Sequence, residues 1–169
     1  MTLRPARETD LPTLIDLARR SWLSGFAESA PAEFVREWFA RNFERQWYPK
    51  YWPTMTVAEA DGVILGVVQP MKDEINGLWV DPQAQGRGVG TALLLHGERE
   101  IASAGYTRAW LSCSGFNRKA MHFYVARGYK QLRTETKARS CGIVETMFFY
   151  DRPLPRSEVE PGVLTGRRN

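Results

Sequence analysis

The run Leu78-Trp79-Val80-Asp81-Pro82-Gln83-Ala84-Gln85-Gly86-Arg87-Gly88-Val89-Gly90-Thr91, followed at once by Ala92-Leu93-Leu94-Leu95, restricts the chain more than any other stretch. An apolar strand candidate ends at Val80, Asp81-Pro82 turns the backbone, and a loop with three glycines in five residues feeds a helix candidate. Glycine admits positive φ and lets a ligand approach the backbone closely. A helix that begins there leaves its first N–H groups unpaired and aims its positive dipole end at the loop. Such backbone suits a phosphate. A flexible surface loop is the other reading of the glycines alone.

What the loop lacks narrows the ligand. A Walker loop, G-x-x-x-x-G-K-[ST], needs a lysine before the hydroxyl residue, whereas Thr91 follows Gly90 directly. A dinucleotide loop reads G-x-G-x-x-G with an acidic residue after the next strand. Here the spacing is G-x-G-x-G and the next strand candidate ends in Ser112-Cys113-Ser114.

Gln85-Gly86-Arg87-Gly88-Val89-Gly90 resembles the acetyl-CoA loop of the GNAT superfamily of N-acetyltransferases, Q/R-x-x-G-x-G/A between a strand and a helix. Downstream, Asn117-Arg118-Lys119-Ala120-Met121-His122-Phe123-Tyr124-Val125-Ala126-Arg127-Gly128-Tyr129 is similar to that family's N-x-x-A-x-x-F-Y-x-x-x-G-[FY] segment. The two motifs stand in the family's order, and the resemblance covers roughly residues 2 to 151. It implies a single α/β domain (α+β by some schemes) over residues 1–151, followed by a tail over 152–169. A mixed twisted sheet of six to seven strands would be flanked by about four helices, with strands splayed apart around 74–80 and 107–113.

The implied activity is transfer of an acetyl group from acetyl-CoA to a primary amine, by direct attack in a ternary complex. A CoA-binding sensor without catalysis is the alternative. An alkylamine of pKa about 10.4 is neutral in about one molecule in a thousand at pH 7, so a base or desolvating pocket helps. A thiol of pKa about 8.5 leaves tolerably well, so an acid assists without being essential.

The resemblance assigns Tyr124 as that acid and Glu74 as the base, with Asp73 as substitute if the strand register slips by one. Leu78, Trp79 and Val80 would meet the thioester and pantetheine, with the Val80 N–H as oxyanion donor. Gln85, Gly86, Arg87, Gly88, Val89, Gly90 and Thr91 would hold the pyrophosphate, while Asn117 and Ala120 would border the pantetheine arm. Asn117 also suits a helix N-cap.

The rest of the chain supplies the frame. Residues 2–5 form a strand candidate; Thr9 is a candidate N-cap for a helix carrying Leu11, Leu14, Ile15, Ala18 and Trp22 on one face, ended at Gly25. Pro31 opens a second helix through Phe43, and the proline-broken aromatic run from Trp47 to Pro53 reads as core or as the lining of an acceptor pocket. Strands at 56–60 and 63–69 join at Asp61-Gly62, a strong hairpin signal, and a further strand runs over 73–80 with Glu74, Asn76, Leu78 and Val80 on one face. A helix over about 88–104 has Leu94, Gly97, Ile101 and Ala104 inside and Glu98 to Glu100 outside. Strands at 107–113, 130–138 and 143–150 and a helix from Asn117 to Gly128 complete the order.

A length of 169 residues fits one domain, and 43% hydrophobic with 25% charged residues is ordinary globular composition. No apolar run reaches membrane-spanning length and no signal-peptide pattern opens the chain, so a cytoplasmic protein without membrane contact is expected. Cys113 and Cys141 read as unbridged residues, and His96 and His122 lack a ligand pattern, so no metal is expected. The net charge of +4 is spread, with a mild cluster at Arg152, Arg156, Arg167 and Arg168; this disfavours nucleic acid and suits an anionic cofactor. Glu28, Glu33, Glu37 and Glu44 are compatible with a cationic acceptor or with a solvated helix face, so peptide, lysine, aminoglycoside, polyamine and amino acid stay open. The 130–150 strand pair offers an edge for a homodimer.

Overall fold

In the computed structural model, which describes residues 1–155, the first strand β1 (Thr2–Pro5) lies at one edge of a seven-stranded sheet. A short 3-10 turn, Glu8–Asp10, leads into α1 (Leu11–Phe26). The Asp10 carboxylate, not Thr9, organises this start: it accepts from the Arg7 N–H at 2.8 Å and from Arg4 Nη1 at 2.7 Å. Next come α2 (Ala32–Arg41) and α3 (Phe43–Tyr51), then β2 (Thr56–Ala60), β3 (Val63–Met71) and β4 (Glu74–Val80). The remainder is α4 (Val89–Ser103), β5 (Arg108–Ser114), α5 (Arg118–Val125), β6 (Lys130–Ala138) and β7 (Val144–Pro153). Sheet order is β1-β2-β3-β4-β5-β7-β6, and only the β4–β5 pair is parallel. The strand count is as expected; the helices number five among the described residues, one more than expected.

The extra helix is α3. Asn42 adopts φ 46°, which breaks the run expected from Pro31 through Phe43 into two helices; asparagine tolerates that left-handed region. Pro49 lies inside α3, yet Trp47 stacks on Tyr51 with centroids 4.0 Å apart and donates to Gln69 Oε1 at 2.9 Å, pinning the segment to the sheet. The Asp61-Gly62 hairpin forms as read, with φ of 51° and 77° at its two central residues.

Two cores flank the sheet. Leu93, Leu94 and Ile101 of α4 pack against Val68, Ile75, Leu78 and Val80 on one face. On the other, Leu14 and Leu17 of α1 and Tyr48 of α3 pack with Val57, Val67 and Trp79. A third cluster, Trp22, Phe26 and Phe34, joins α1 to α2.

One irregularity in β4 overturns a sequence expectation. Gln69 pairs with Gly77 and Pro70 with Ile75, so Asn76 is an extra, unpaired residue: a β-bulge. Side chains alternate across a strand, and an extra residue resets that alternation. Ile75 therefore shares a face with Leu78 and Val80, not with Trp79. Glu74, next to Ile75, falls on the Trp79 face rather than that of Leu78 and Val80.

Two further readings change. Glu98, expected in solvent, is buried, where it accepts from the Tyr129 hydroxyl at 2.9 Å and from Arg152 Nη1 at 3.3 Å. Ala104, expected inside, is exposed beyond the end of α4. At the C-terminal end β7 continues to Pro153, the Leu154 N–H donates to Thr107 O at 2.9 Å, and the Leu154 side chain is buried. Packing thus passes the boundary expected at 151; the remaining tail, with Arg156, Arg167 and Arg168, lies outside the described residues. β6 is the other sheet edge, exposed at all nine of its residues. No helix of the described residues is long and apolar enough to cross a membrane.

Candidate active site

β4 and β5 touch only at their start. Glu74 pairs with Trp110, and the Trp110 N–H donates to Asp73 O at 3.0 Å; beyond that no residue of β5 pairs with β4. The strands diverge as expected. Their gap opens into a cavity of about 260 Å³ lined by Leu78, Trp79, Val80, Gln85, Gly86, Gly90, Asn117, Ala120, Phe123 and Tyr124. Residues from both motifs thus converge on one cleft. Ser21 and Gly25 of α1 and Lys119 of α5 complete its wall.

The loop is built as its sequence requires. Asp81 Oδ1 accepts from the Gln83 N–H at 2.9 Å, fixing the turn, and Gly86 and Gly88 take φ of 73° and 84°. The Gly88 carbonyl accepts the Ala92 N–H at 3.0 Å and no side chain caps α4, so the N–H groups of its first turn remain for a ligand. Gly90 is needed for proximity: a Cβ there would stand 3.2 Å from the Phe123 ring and 3.4 Å from Val80 Cγ2. Arg87 is exposed. The cation fixed beside the loop is Arg127: its guanidinium lies 3.6 Å over the Phe123 ring and donates to Thr91 Oγ1 at 3.1 and 2.5 Å. A backbone cradle with an adjacent guanidinium fits a pyrophosphate.

At the other end of the cleft the Val80 N–H donates to Ser21 Oγ at 3.3 Å, a long contact that a stronger acceptor would displace. Asn117 caps α5, accepting the Ala120 N–H at 3.1 Å, and also borders the cavity. Gly25 does not end α1. It lies within the helix, and a Cβ there would stand 2.9 Å from Asn117 Nδ2, so the close approach of Asn117 requires glycine. Ser21 and Gly25, one turn apart, were missed in sequence; the signal was two small residues on a face otherwise made of Leu14, Leu17, Ala18 and Trp22.

Tyr124 is 8% exposed and borders both this cavity and a second one of about 220 Å³. Its hydroxyl makes no hydrogen bond among the described residues, and burial, aided by Cys113, raises its pKa above the ordinary phenol value. It is a proton donor throughout the neutral range. The second cavity is walled by Trp22, Phe26, Phe34 and Trp38 and includes Arg139 and the buried Glu145, an ion pair with Arg139 Nε 2.6 Å from Glu145 Oε2. A third, of about 230 Å³, adjoins it beneath α3. Trp79, expected only on the cofactor side, lines all three cavities.

Glu74 lines none of these three cavities. It stands at the closed end of the splay, about 20 Å of strand from Val80 at 3.3 Å per residue. Burial, then Asp73, raises its carboxyl above the usual range. Cys113 is buried and its thiol is pushed up to about 12 by burial and then by Glu145, so it is protonated and poorly nucleophilic at neutral pH. Both cysteines are free. Among the described residues no group of three or more His, Cys, Asp or Glu is arranged to hold a metal.

A parallel pair opened into a splay, with a glycine loop closing it at a helix start, defines an acyltransferase site for a coenzyme A thioester. The chain belongs to the acetyltransferase (GNAT) family, whose model matches residues 11–129. Spermidine N(1)-acetyltransferase of Thermoplasma acidophilum is 24% identical over 133 residues, 72% of this chain and 83% of that protein. A GCN5-related N-acetyltransferase from Rhodopseudomonas palustris superposes with TM-score 0.78 at 23% identity, over 90% of this chain and 95% of that one. The PaiA N-acetyltransferase of T. acidophilum, solved with coenzyme A, superposes with TM-score 0.72 at 20% identity, over 90% and 98%. The protein is an N-acetyltransferase with acetyl-CoA as co-substrate.

Proposed function

We propose that a primary alkylamine enters from the α1–α2 side and attacks the acetyl-CoA thioester beside Tyr124. Its nitrogen bonds to the carbonyl carbon, the carbon–sulfur bond breaks, and the leaving sulfur takes the Tyr124 proton. The Val80 N–H stabilises the oxyanion in place of its contact with Ser21, and Gln85 to Thr91 hold the pyrophosphate with Arg127 alongside. Glu74 lines none of the three cavities and stands about 20 Å of strand from Val80, so the amine proton does not go to it but returns through water to the Tyr124 oxygen that protonated the leaving sulfur. The observation that carries this reading is that Tyr124 borders both the cofactor cleft and the aromatic cavity. The high pKa of Cys113 favours direct transfer over a cysteine-bound intermediate. The name of the T. acidophilum relative supports an alkylamine acceptor.

The test is Tyr124→Phe in a thiol-release assay. Since the hydroxyl has no hydrogen-bond partner among the described residues, its removal leaves the melting temperature unchanged. A fall in kcat of about 100-fold, with KM for acetyl-CoA nearly constant, is expected for a lost general acid. Unchanged kcat excludes the role.

A further inference from the structure

Of the four acidic residues between α1 and α3 noted in the sequence, Glu28 and Glu33 are exposed and Glu37 is half-buried, while the Glu44 side chain is only 3% exposed. Its Oε1 accepts from Arg19 Nη1 at 2.6 Å. Its Oε2 is buried with no hydrogen-bond partner, alone in this among the side-chain oxygens and nitrogens of the described residues. A carboxylate oxygen so placed is costly, and a ligand donor would relieve it.

Glu44 forms part of the wall of the cavity beneath α3, whose other walls include Trp22, Trp38, Trp47, Tyr48 and Trp79. Indole faces and edges around a carboxylate are the chemistry that recognises an alkylammonium: ring quadrupoles attract the cation and the carboxylate accepts its protons. Arg19 does not border the cavity. It is held from behind by Asn42 Oδ1 at 2.8 Å and by the Phe39 ring at 4.8 Å, so it fixes one oxygen without competing for the space. The last torsion of a glutamate is broad, so a small rotation that keeps Oε1 within reach of the Arg19 guanidinium brings the orphan oxygen toward the cavity.

The cavity shares Trp22, Trp38, Asn76, Gly77 and Trp79 with the one that reaches Tyr124. A molecule whose reacting amine lies at Tyr124 therefore extends along Trp79 toward Glu44. We infer that Glu44 and its aromatic walls form a subsite for a second, non-reacting ammonium, so that the acceptor is an alkylamine carrying two cationic centres. This rests on the acceptor entering from the α1–α2 side.

Calorimetry with coenzyme A bound, which permits no turnover, compares hexamethylenediamine with n-hexylamine. The diamine binds about 10- to 100-fold more tightly, the scale of one charge-assisted hydrogen bond. Glu44→Gln reduces the two affinities to parity and leaves that of hexylamine unchanged. Phe43→Lys, at an exposed wall residue, does the same by supplying a competing ammonium, and covers the case in which the Glu44 variant fails to fold. Equal affinities in the unaltered protein, or a preference that survives both substitutions, overturn the subsite. Thiol release with acetyl-CoA separates this from the parent reading. Diamine preference in binding without turnover of either amine supports the subsite and overturns the catalytic reading; turnover of both at equal kcat/KM overturns the subsite alone.

Discussion

Replacing Gly25 by alanine should separate stability from cofactor binding. The new Cβ would stand 2.9 Å from Asn117 Nδ2, closer than real Cβ atoms come, and a tight 3.1 Å from Oδ1, while α1 is anchored by the buried Leu14, Leu17, Ala18 and Trp22. The Asn117 amide must move, stretching its 3.1 Å bond from the Ala120 N–H. Loss of an asparagine N-cap costs about 1 kcal/mol. Alanine for glycine in a helix returns up to about 1 kcal/mol. The two nearly cancel, so the melting temperature should shift by no more than about 4 °C for a domain of this size. Asn117 also borders the cofactor cleft, and nothing offsets its displacement there. Affinity for coenzyme A should fall about two- to tenfold, the scale of one neutral hydrogen bond. Calorimetric titration of the variant, of Asn117→Ala and of the double variant checks this; the two losses should not add, since both act through one side chain. Unchanged affinity in Gly25→Ala, or additive losses in the double variant, refutes the reasoning.

Cys113→Ala should retain kcat within about twofold, because a thiol protonated up to about pH 12 takes no part in direct transfer; loss of turnover with binding intact would implicate it. Glu98→Ala leaves the Tyr129 hydroxyl without its buried acceptor and should cost about 1–3 kcal/mol in a denaturant melt, most of which Glu98→Gln restores. Hydrogen bonds from Cys141 and Ser140 lower the Glu37 carboxyl from its ordinary 4.5 to about 2. A depressed pKa stabilises the fold above the unfolded value and is lost as protons bind, so this contribution fades as pH falls from about 4.5 to 2. The difference in melting temperature between wild type and Glu37→Gln should therefore shrink over that window; a constant difference would sink the assignment.

What was legible in the sequence was local. The glycine loop, the Asn117 cap and the Asp61-Gly62 turn each depend on residues within a few positions, and each formed as read. The seven strands followed from alternation within single segments. What escaped depends on partners distant in the chain. Glu98 looks solvated beside Arg99 and Glu100, and only Tyr129 and Arg152, brought in by the sheet, make its burial tolerable. Gly25 reads as a helix stop until Asn117 is seen against it. Leu154, in a segment without periodicity, is held by Thr107 across the sheet. Glu74 was put on the wrong face because strict alternation carries no sign of an unpaired residue, which is set by the register with β3.

That unpaired residue, Asn76, gives β4 two phases. Before it, Ile75 faces α4; after it, Leu78 and Val80 do, and Trp79 turns toward the aromatic cavities. Forcing Asn76 into the ladder opposite Pro70, with the Gly66–Val80 end kept in register, would turn Ile75 away from α4 and leave a hole beside Gly97, where Ile75 Cδ1 now lies 2.9 Å from a notional Cβ. Keeping the Ile75 end in register would instead drive the indole of Trp79 into the α4 core and point Leu78 at the acceptor. The boundary between cofactor side and acceptor side thus depends on one residue being left out of the ladder. A residue added at the Asp61-Gly62 turn merely lengthens a loop, whereas pairing Asn76 with β3 would exchange the two faces at one end of the site.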